Sequence, residues 1–304
     1  MKLKQEDLEF ITTSKMAEEA GYLASYLSPN TVGVIALPRS GLIPATILST
    51  TNHLALMELQ PDGLVRQMGL SGRASINIPK RRFPHYLVVD DSCYGGGRIK
   101  AARELLRNYN VTFAVVYARS EMMGVVDCCV KVTDKTHLFQ WNFVNSGMAC
   151  GRSLDKRILG GFGFDMDGVL CEDSTFNHSS SNIDEVIRWI HTARPRNLPR
   201  YSSVKLICSY RLESMRRDTE EWLEKWDCKY DKLVLCHTKT FEQRDISGRF
   251  NPCVQKGFAM ANSTCKIFFE SDERQGEEIA RISGKPCIIP STGRIFWPSG
   301  VEEV

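Results

Sequence analysis

Residues 86–98 read Tyr86-Leu-Val-Val-Asp90-Asp91-Ser-Cys-Tyr-Gly95-Gly96-Gly97-Arg98. The apolar start predicts a buried strand, which two carboxylates and a glycine-rich turn follow before a helix begins. Glycines let backbone N–H groups approach an anion, and a helix N-terminus adds about half a positive charge. Because ionised carboxylates only accept hydrogen bonds, Asp90 and Asp91 can bind two neighbouring hydroxyls, such as those of a ribose. The segment therefore predicts a sugar-phosphate site at the carboxyl end of a strand.

An alternation of strands and helices continues on both sides of this segment. The predicted strands of the first half are 32–37, 54–59, 86–89 and 111–117, and its predicted helices are 16–27 and 98–106. A second alternation begins with a strand at 161–164 and ends with a strand at 286–289. This pattern is typical of an α/β protein, so we expect two Rossmann-like parallel-sheet domains.

The length of the chain agrees with two domains. Its 304 residues are about twice the typical domain length of roughly 150. The segment 150–156 is rich in glycine and charge and has weak hydrophobic periodicity, as expected of a connection. We therefore predict one domain at residues 1–155 and a second at residues 156–304.

Composition excludes several classes of protein. The 39 Lys and Arg residues against 36 Asp and Glu give a net charge of +3, which favours neither a nucleic-acid polymer nor a membrane surface as partner. The 11 cysteines have no C-x-x-C spacing, so we interpret them as reduced thiols. No apolar run is long enough for a signal peptide or a membrane-spanning helix, and we expect a cytoplasmic protein.

The segment 86–98 resembles the phosphoribosyl pyrophosphate signature of the type I phosphoribosyltransferases. In that family an earlier strand ends in a loop that binds pyrophosphate, and residues 34–41, Val-Ile-Ala-Leu-Pro-Arg-Ser-Gly, are similar to it. A flexible hood lies between the two in the family, and here residues 63–83 contain five basic residues and no acidic one. The resemblance implies that phosphoribosyl pyrophosphate is bound by Arg39, Ser40, Gly41, Asp90, Asp91, Tyr94, Gly95, Gly96, Gly97 and Arg98.

This loop departs from the family at one point. The family loop carries threonines whose hydroxyls bind the 5'-phosphate, whereas residues 94–98 read Tyr-Gly-Gly-Gly-Arg. Backbone donors are retained and the hydroxyls are not. A second interpretation therefore stays open, in which the first domain binds a nucleotide without catalysis or has a regulatory role.

The second half begins with Gly161-Phe-Gly-Phe-Asp165-Met166-Asp167-Gly168-Val-Leu. A strand that ends in two aspartates two residues apart can direct both carboxylates at one phosphoryl group. The segment resembles motif one of the haloacid dehalogenase (HAD) superfamily. The remaining motifs follow in order at Ser209 after a strand, at Lys256 near a helix start, and at Glu270-Ser-Asp272 after another strand.

That resemblance implies a catalytic set of Asp165, Asp167, Ser209 and Lys256. Asp165 would be the nucleophile that forms an aspartyl-phosphate, and Asp167 the general acid and then base. Ser209 and Lys256 would hold the phosphoryl oxygens. The implied Mg2+ would be bound in the carboxylate cluster Asp165, Asp167, Glu270 and Asp272, by Asp165, the backbone carbonyl of Met166 and either Glu270 or Asp272. The short segments between these motifs leave no room for a large cap.

Two resemblances in one chain imply a bifunctional enzyme of nucleotide metabolism. The first domain would transfer a phosphoribosyl group between phosphoribosyl pyrophosphate and a nitrogenous base, and the second would hydrolyse a phosphomonoester with Mg2+. The implied partners are phosphoribosyl pyrophosphate, a nucleobase and a nucleoside monophosphate, with no membrane or nucleic acid; transferases of this fold also form homodimers. A third interpretation, a nucleic-acid-binding regulator on the transferase fold, fits the net charge of +3 least.

Overall fold

The chain forms two compact units that do not coincide with its two sequence halves. The computed structural model describes residues 3–68, 82–144, 161–174, 182–199, 203–238, 240–241 and 251–298. The first unit is Thr13–Lys135, and the second unit combines Met1–Thr12 with Thr136–Val304. The first strand of the chain, β1 (Leu8–Ile11), therefore belongs to the second unit.

The first unit is a mostly parallel sheet with helices. Its elements are α1 (Thr13–Gly21), β2 (Thr31–Ala36), α2 (Leu42–Asn52), β3 (Ala55–Leu59), β4 (Val65–Gln67), β5 (His85–Cys93), α3 (Gly97–Leu105), β6 (Val111–Ala118) and β7 (Cys128–Val132). The strand order among the described residues is β4-β3-β2-β5-β6-β7, and only the β3–β4 pair is antiparallel. Central β5 is buried at Leu87, Val88 and Val89, because it lies between β2 and β6 and carries apolar side chains on both faces.

The second unit has the same architecture. Its further elements are β8 (Thr136–Phe139), β9 (Phe162–Phe164), α4 (Ile183–Thr192), β10 (Leu206–Leu212), α5 (Arg216–Lys225), β11 (Leu233–Cys236), α6 (Pro252–Ala261), β12 (Ile267–Phe269), α7 (Glu273–Ser283), β13 (Cys287–Ile288) and β14 (Ile295–Phe296). The described strands are ordered β11-β10-β9-β12-β13-β14, with only β13–β14 antiparallel, and β1 pairs with β8 in a separate parallel ribbon. Strand β9 is central, so the loop after it lies at the middle of the sheet edge.

The α/β class and the parallel sheets are confirmed, whereas the division of the chain differs from the expected one. The predicted boundary at residue 155 falls in 145–160, outside the described residues, and the units divide after residues 12 and 135. Aromatic packing explains the difference. The ring of Phe143 lies 5.7 Å from that of Phe10 and 4.7 Å from that of Phe269, so both segments complete the core of the second unit.

Several predicted element ends also move. Strand β5 continues four residues beyond the predicted end at Val89, and β10 extends to Leu212. The N-cap prediction at Asn182 is confirmed, since its side chain accepts a hydrogen bond from the Asp184 N–H at 3.0 Å. Most of the predicted hood, residues 69–81, lies outside the described residues, and within the remainder residues 65–67 form β4.

Two further sequence expectations concern membranes and cysteines. Among the described residues, no helix has both the length and the apolar character needed to cross a bilayer. The cysteines in the described ranges are free thiols, in agreement with the expectation of reduced side chains.

Candidate functional site

The first candidate site, which we call the Asp90 site, consists of Asp90, Asp91, Arg98 and the loop 38–41. Strand β5 continues past the end of β2, because Val89 pairs with the last residue of β2 while Asp90 pairs with Val115 of β6. Both aspartates are nonetheless buried, with 1% of Asp90 and 4% of Asp91 exposed. The site thus places two carboxylates where one neighbouring strand has ended, which is where ligands bind in open α/β sheets.

The loop after β2 packs directly against these carboxylates. The peptide bond between Pro38 and Arg39 is cis, and the side chain of Ser40 hydrogen-bonds the carboxylate of Asp91. A Cβ atom on Gly41 would lie 2.4 Å from the Leu37 carbonyl oxygen and 2.9 Å from Oδ1 of Asp90. Only glycine fits at position 41 without a shift of the backbone. The loop 38–41 therefore packs closely against Asp90.

The glycine turn after β5 supplies a helix N-terminus and one cation. Gly96 has a φ of 70°, which favours glycine, and α3 begins at the next residue. Nη1 of Arg98 donates to both oxygens of Asp90, at 3.1 and 3.0 Å, while 54% of the Arg98 side chain remains exposed. A position at which the family carries a threonine therefore provides the counter-ion of Asp90.

Burial dominates the electrostatics of this pair. It raises the pKa of Asp90 well above its ordinary value, the adjacent charge of Asp91 raises it further, and the Arg98 guanidinium opposes both. Burial also raises the pKa of Asp91, and hydrogen bonds from Asp90 and Ser40 oppose that rise. Two buried carboxylates with one half-exposed cation form an acceptor-rich site that lacks full charge compensation.

The second candidate site, the Asp165 site, lies at the carboxyl ends of β9 and β12. Asp165 follows β9 directly, and its N–H donates to the Phe269 carbonyl oxygen at 2.9 Å. Glu270 follows β12 in the same way and is fully buried. Because parallel neighbouring strands end at the same edge, two segments that are distant in sequence bring their carboxylates together.

Lys256 bridges the two carboxylates. Its Nζ donates to Oδ2 of Asp165 at 2.8 Å, to Oε2 of Glu270 at 2.7 Å and to Oε1 of Gln275 at 3.1 Å. Helix α6 carries it, and that helix begins at Pro252 with Asn251 as its N-cap. Only 2% of the lysine is exposed, so it is a component of the site rather than a surface residue.

The charges of this cluster act on one another strongly. Burial raises the pKa of Asp165 well above its ordinary value, the negative charge of Glu270 adds to the rise, and Lys256 opposes it. For Lys256 itself, burial lowers the pKa, but the two carboxylates outweigh that effect and hold the pKa above its ordinary value. The lysine is therefore a permanent cation between two carboxylates.

Asp167 has a different partner, one that the sequence analysis missed. Nη2 and Nε of Arg211 bind Oδ1 of Asp167 at 2.6 and 3.2 Å, and 2% of the Arg211 side chain is exposed. Arg211 lies two residues after Ser209 in β10, in the stretch where the register against β11 shifts between Cys208 and Leu212. The signal in the sequence that could have identified Arg211 is its position two residues after Ser209.

The other predicted residues fall close to the cluster. Ser209 is buried, and its Oγ accepts the Arg211 N–H at 3.3 Å. Asp272 is the N-cap of α7 and accepts the Gln275 N–H at 2.9 Å. The Met166 carbonyl oxygen already accepts three backbone N–H groups, from Val169 at 3.4 Å, Leu170 at 2.9 Å and Cys171 at 3.0 Å. Both of its lone pairs are thus used, which argues against the ligand role expected for it.

A cavity of about 270 Å³ opens at this cluster. Charged groups in its wall include Asp165, Asp167 and Lys256, and its apolar wall includes Val186 and Phe241. The cavity thus joins a charged end, suited to a phosphate group, to an apolar region that can receive an organic substituent.

Within the described ranges, one additional set of side chains that could ligate a metal lies outside both sites. Ligand atoms of His191, Asp218 and Glu221 lie within 4.8 Å of one another. Nε2 of His191 is 2.8 Å from Oδ1 of Asp218, and Glu221 accepts a hydrogen bond from Arg217 at 2.8 Å. These contacts explain why the three side chains lie close together: they form a surface network between α4 and α5.

The known proteins to which this chain is similar each match less than half of it. No family model matches this chain. Xanthine-guanine phosphoribosyltransferases from two strains of Nitratidesulfovibrio vulgaris are 29% identical to it over 113 residues, which are 36% of this chain and 68% of each relative. This similarity supports the expected phosphoribosyltransferase-like domain.

Two solved structures of similar proteins cover a comparable share of the chain. A purine phosphoribosyltransferase from Pyrococcus horikoshii is 21% identical and covers 44% of this chain and 93% of its own length, with a TM-score of 0.32. The xanthine-guanine-hypoxanthine phosphoribosyltransferase of Helicobacter pylori is 14% identical and covers 44% and 92%, with a TM-score of 0.34.

Proposed function

We propose that the second unit is a Mg2+-dependent phosphatase of the HAD type and that the first unit is a phosphoribosyltransferase that acts on a purine base. The observation that supports the phosphatase is the bridge from Lys256 to Asp165 and Glu270 beside Asp167. The transferase is supported by the similarity to xanthine-guanine phosphoribosyltransferases together with the buried Asp90–Asp91 pair.

The donor set of the Asp165 site fits Mg2+. Four carboxylates, those of Asp165, Asp167, Glu270 and Asp272, lie in this cluster with two cations, Lys256 and Arg211. A surplus of carboxylate oxygens over cations is what a hard divalent ion requires. Asp165 with Glu270 or Asp272 would hold the ion, which when bound offsets the negative charge of the phosphoryl group.

The hydrolysis would proceed in two steps. A carboxylate oxygen of Asp165 attacks phosphorus, the bond to the ester oxygen breaks, and that oxygen leaves with the electron pair and a proton from Asp167. In the second step Asp167 takes a proton from a water molecule whose oxygen attacks the aspartyl-phosphate, which releases phosphate and restores Asp165. Lys256 contacts the Asp165 carboxylate at 2.8 Å and would balance its charge before the attack and again after phosphate has left.

In the Asp90 site the carboxylates would accept hydrogen bonds from the two ribose hydroxyls, and the backbone N–H groups of residues 95–97 would bind the 5'-phosphate. The bond from the anomeric carbon to pyrophosphate breaks, and a base nitrogen forms the new bond at that carbon. Arg98 must release Asp90 when the ribose binds, because its Nη1 contacts both carboxylate oxygens.

That contact also supports a second candidate function for the first unit. With Asp90 already bound to a guanidinium and with the threonines of the family loop absent, the unit would bind a purine nucleotide without catalysis. The phosphatase activity of the second unit would then be the only activity of the chain.

One assay separates these functions. The full chain is incubated with Mg2+, phosphoribosyl pyrophosphate, xanthine, guanine or hypoxanthine, and p-nitrophenyl phosphate as a phosphomonoester, and the release of pyrophosphate and of phosphate is followed separately. We expect Asp91→Asn to abolish the first and retain the second, and Asp165→Asn to do the reverse. Asp227→Asn, at an exposed aspartate of the second unit, is the matched control and should retain both.

The outcomes discriminate clearly. Phosphate release that persists in Asp165→Asn would overturn the nucleophile. The absence of base-dependent pyrophosphate release would overturn the transferase, and binding of a nucleotide that Asp91→Asn abolishes would then support the non-catalytic alternative.

A further inference from the structure

Arg211 is the one buried cation of the Asp165 site for which the proposed hydrolysis has no use. It lies in β10, and its side chain is 2% exposed in the wall of the cavity. A buried guanidinium is costly unless its donors are satisfied, so its partners indicate what it is held there to do.

Each nitrogen of this guanidinium has a partner in the second unit. Nε and Nη2 bind the carboxylate of Asp167, and Nη1 lies 3.4 Å from Oγ1 of Thr219. Nη2 also lies 3.5 Å from Sγ of Cys171, and the guanidinium carbon lies 5.3 Å from the centre of the Trp189 ring. The planar group is therefore fixed at three edges and over one face.

The carboxylate of Asp167 receives this fork and, at Oδ1, the Sγ–H of Cys171 at 3.3 Å. Its neighbour Asp165 is fixed by Lys256 and by the Met166 N–H, whereas the Asp167 carboxylate lies in the cavity wall with 17% of its side chain exposed. The Arg211 fork contacts both of its oxygens, with Nε at 3.2 Å from Oδ1 and 3.3 Å from Oδ2. Two-point contact with a planar group fixes both the position and the plane of a carboxylate.

We propose that Arg211 is a positioning residue that holds the Asp167 carboxylate in the orientation needed to transfer a proton to and from the reacting oxygens. This inference rests on the proposed phosphatase function. It assigns the effect of Arg211 to Asp167 rather than to direct binding of the phosphate, because each nitrogen of Arg211 already contacts a protein group.

A double-mutant cycle on the full chain with Mg2+ tests the proposal. The variants are Arg211→Ala, Asp167→Asn and the double variant, each assayed for kcat and KM on an alkyl phosphate and on p-nitrophenyl phosphate. General acid–base catalysis contributes about 10²–10⁴-fold, so either single variant should lose roughly 10²-fold or more in kcat on the alkyl ester. In the Asp167→Asn background, removal of Arg211 should change kcat by less than about threefold.

Two readouts exclude a merely structural role. The nitrophenolate leaves readily without a proton, so the loss of kcat in Arg211→Ala should shrink on that ester while KM changes little. Arg211→Lys keeps the charge but not the fork and should recover only part of kcat, and added guanidinium should partly rescue Arg211→Ala. Arg217→Ala, an exposed arginine of α5, is the matched control and should behave as the wild type.

The result also separates the two levels of inference. If the wild type hydrolyses neither ester, or if Asp165→Asn is fully active, the proposed function fails and this inference fails with it. If the wild type is active and Asp165→Asn is not, but the two single losses multiply in the double variant, then Arg211 acts independently of Asp167 and only this inference is overturned. A rise in KM at constant kcat in Arg211→Ala would likewise overturn only the inference about Arg211.

The double variant removes both charges, so its comparison with Asp167→Asn remains valid even if Arg211→Ala folds poorly.

Discussion

The Asp90–Asp91 pair and the Asp165–Glu270 pair each combine two buried carboxylates with one cation in direct contact, Arg98 and Lys256 respectively, at the edge of a parallel sheet. They differ in the exposure of that cation: 54% of the Arg98 side chain is exposed, against 3% for Lys256. Arg98 contacts one of its two carboxylates, whereas Lys256 bridges both. In both units two buried carboxylates thus lie beside a cation, but that cation is exposed in the Asp90 site and buried in the Asp165 site.

This difference has a physical consequence for ligand binding. An exposed guanidinium on the first turn of a helix can exchange its carboxylate for water or a phosphate at little cost, since surface ion pairs contribute about 0–1 kcal/mol. A buried lysine between two carboxylates cannot leave without exposing two uncompensated charges. We therefore expect the Asp90 site to rearrange when it binds its ligand and the Asp165 site to be preformed.

The largest expected effect comes from Lys256→Met, which leaves Asp165 and Glu270 buried without their cation. We expect it to lower the free energy of unfolding of the second unit by about 3–5 kcal/mol. All five tryptophans lie between residues 141 and 297, so tryptophan fluorescence during denaturation reports on the second unit alone. Lys229→Met, at an exposed lysine, should be neutral. An equal effect of both variants would mean that the buried bridge carries no special stability.

A medium effect is expected from Gly41→Ala in the first unit. Its Cβ would lie 2.4 Å from the Leu37 carbonyl oxygen, so backbone must shift, at a cost of about 1–3 kcal/mol. Gly95→Ala is the matched control, because a Cβ there meets no atom within 4 Å. Hydrogen exchange of peptides from residues 13–135 measures the change in stability of the first unit in each variant. If the two alanines are equally harmless, the loop 38–41 does not pack on β5 as described.

The smallest effect is expected from Arg98→Met. The free energy of unfolding of the first unit should fall by about 1 kcal/mol at neutral pH, since the guanidinium is half-exposed. Burial and Asp91 raise the pKa of Asp90, so the folded state binds that proton more tightly than the unfolded state. The contribution of Asp90 to stability is therefore fully present below its ordinary pKa and is lost as the pH rises through the raised pKa.

The stability of the first unit in Arg98→Met should also change with pH in a definite direction. Removal of Arg98 removes the group that opposes the rise, so the loss of stability with increasing pH should be larger in Arg98→Met than in the wild type. It should be smaller in Asp90→Asn, which cannot titrate there. Hydrogen exchange of the first unit at acid and neutral pH checks both signs, and a flat profile in all three proteins would contradict the assigned electrostatics.

The order of strands and helices in both units follows from local pattern. Apolar runs predicted β2, β5, β6, β9 and β11 to within a few residues, because strands buried on both faces must be continuously apolar. The short strands β1, β4, β7, β8 and β14 were missed. Most of them mix polar and apolar residues, and β14 has only two residues. They become strands through pairing, β4, β7 and β14 at sheet edges and β1 with β8 in a separate ribbon.

The acidic residues of both sites were found for the same local reason. Asp90 and Asp165 stand directly after apolar runs, and the carboxyl end of a buried strand is where such groups meet a ligand. The cations were harder to assign. Arg98 was predicted to bind phosphate, whereas in the structure it donates to Asp90. Arg211 was not predicted at all.

The sequence by itself thus determined the two α/β units, the strands that end in carboxylates and the glycines that allow close approach, because each depends on neighbouring residues. Only the tertiary structure decided which cation serves which carboxylate and where the units divide. Lys256 reaches Asp165 across 91 positions, and Arg211 reaches Asp167 across 44. The first pair joins helix α6 to the end of β9, and the second joins β10 to the loop after β9; no local pattern records which of these distant elements become neighbours.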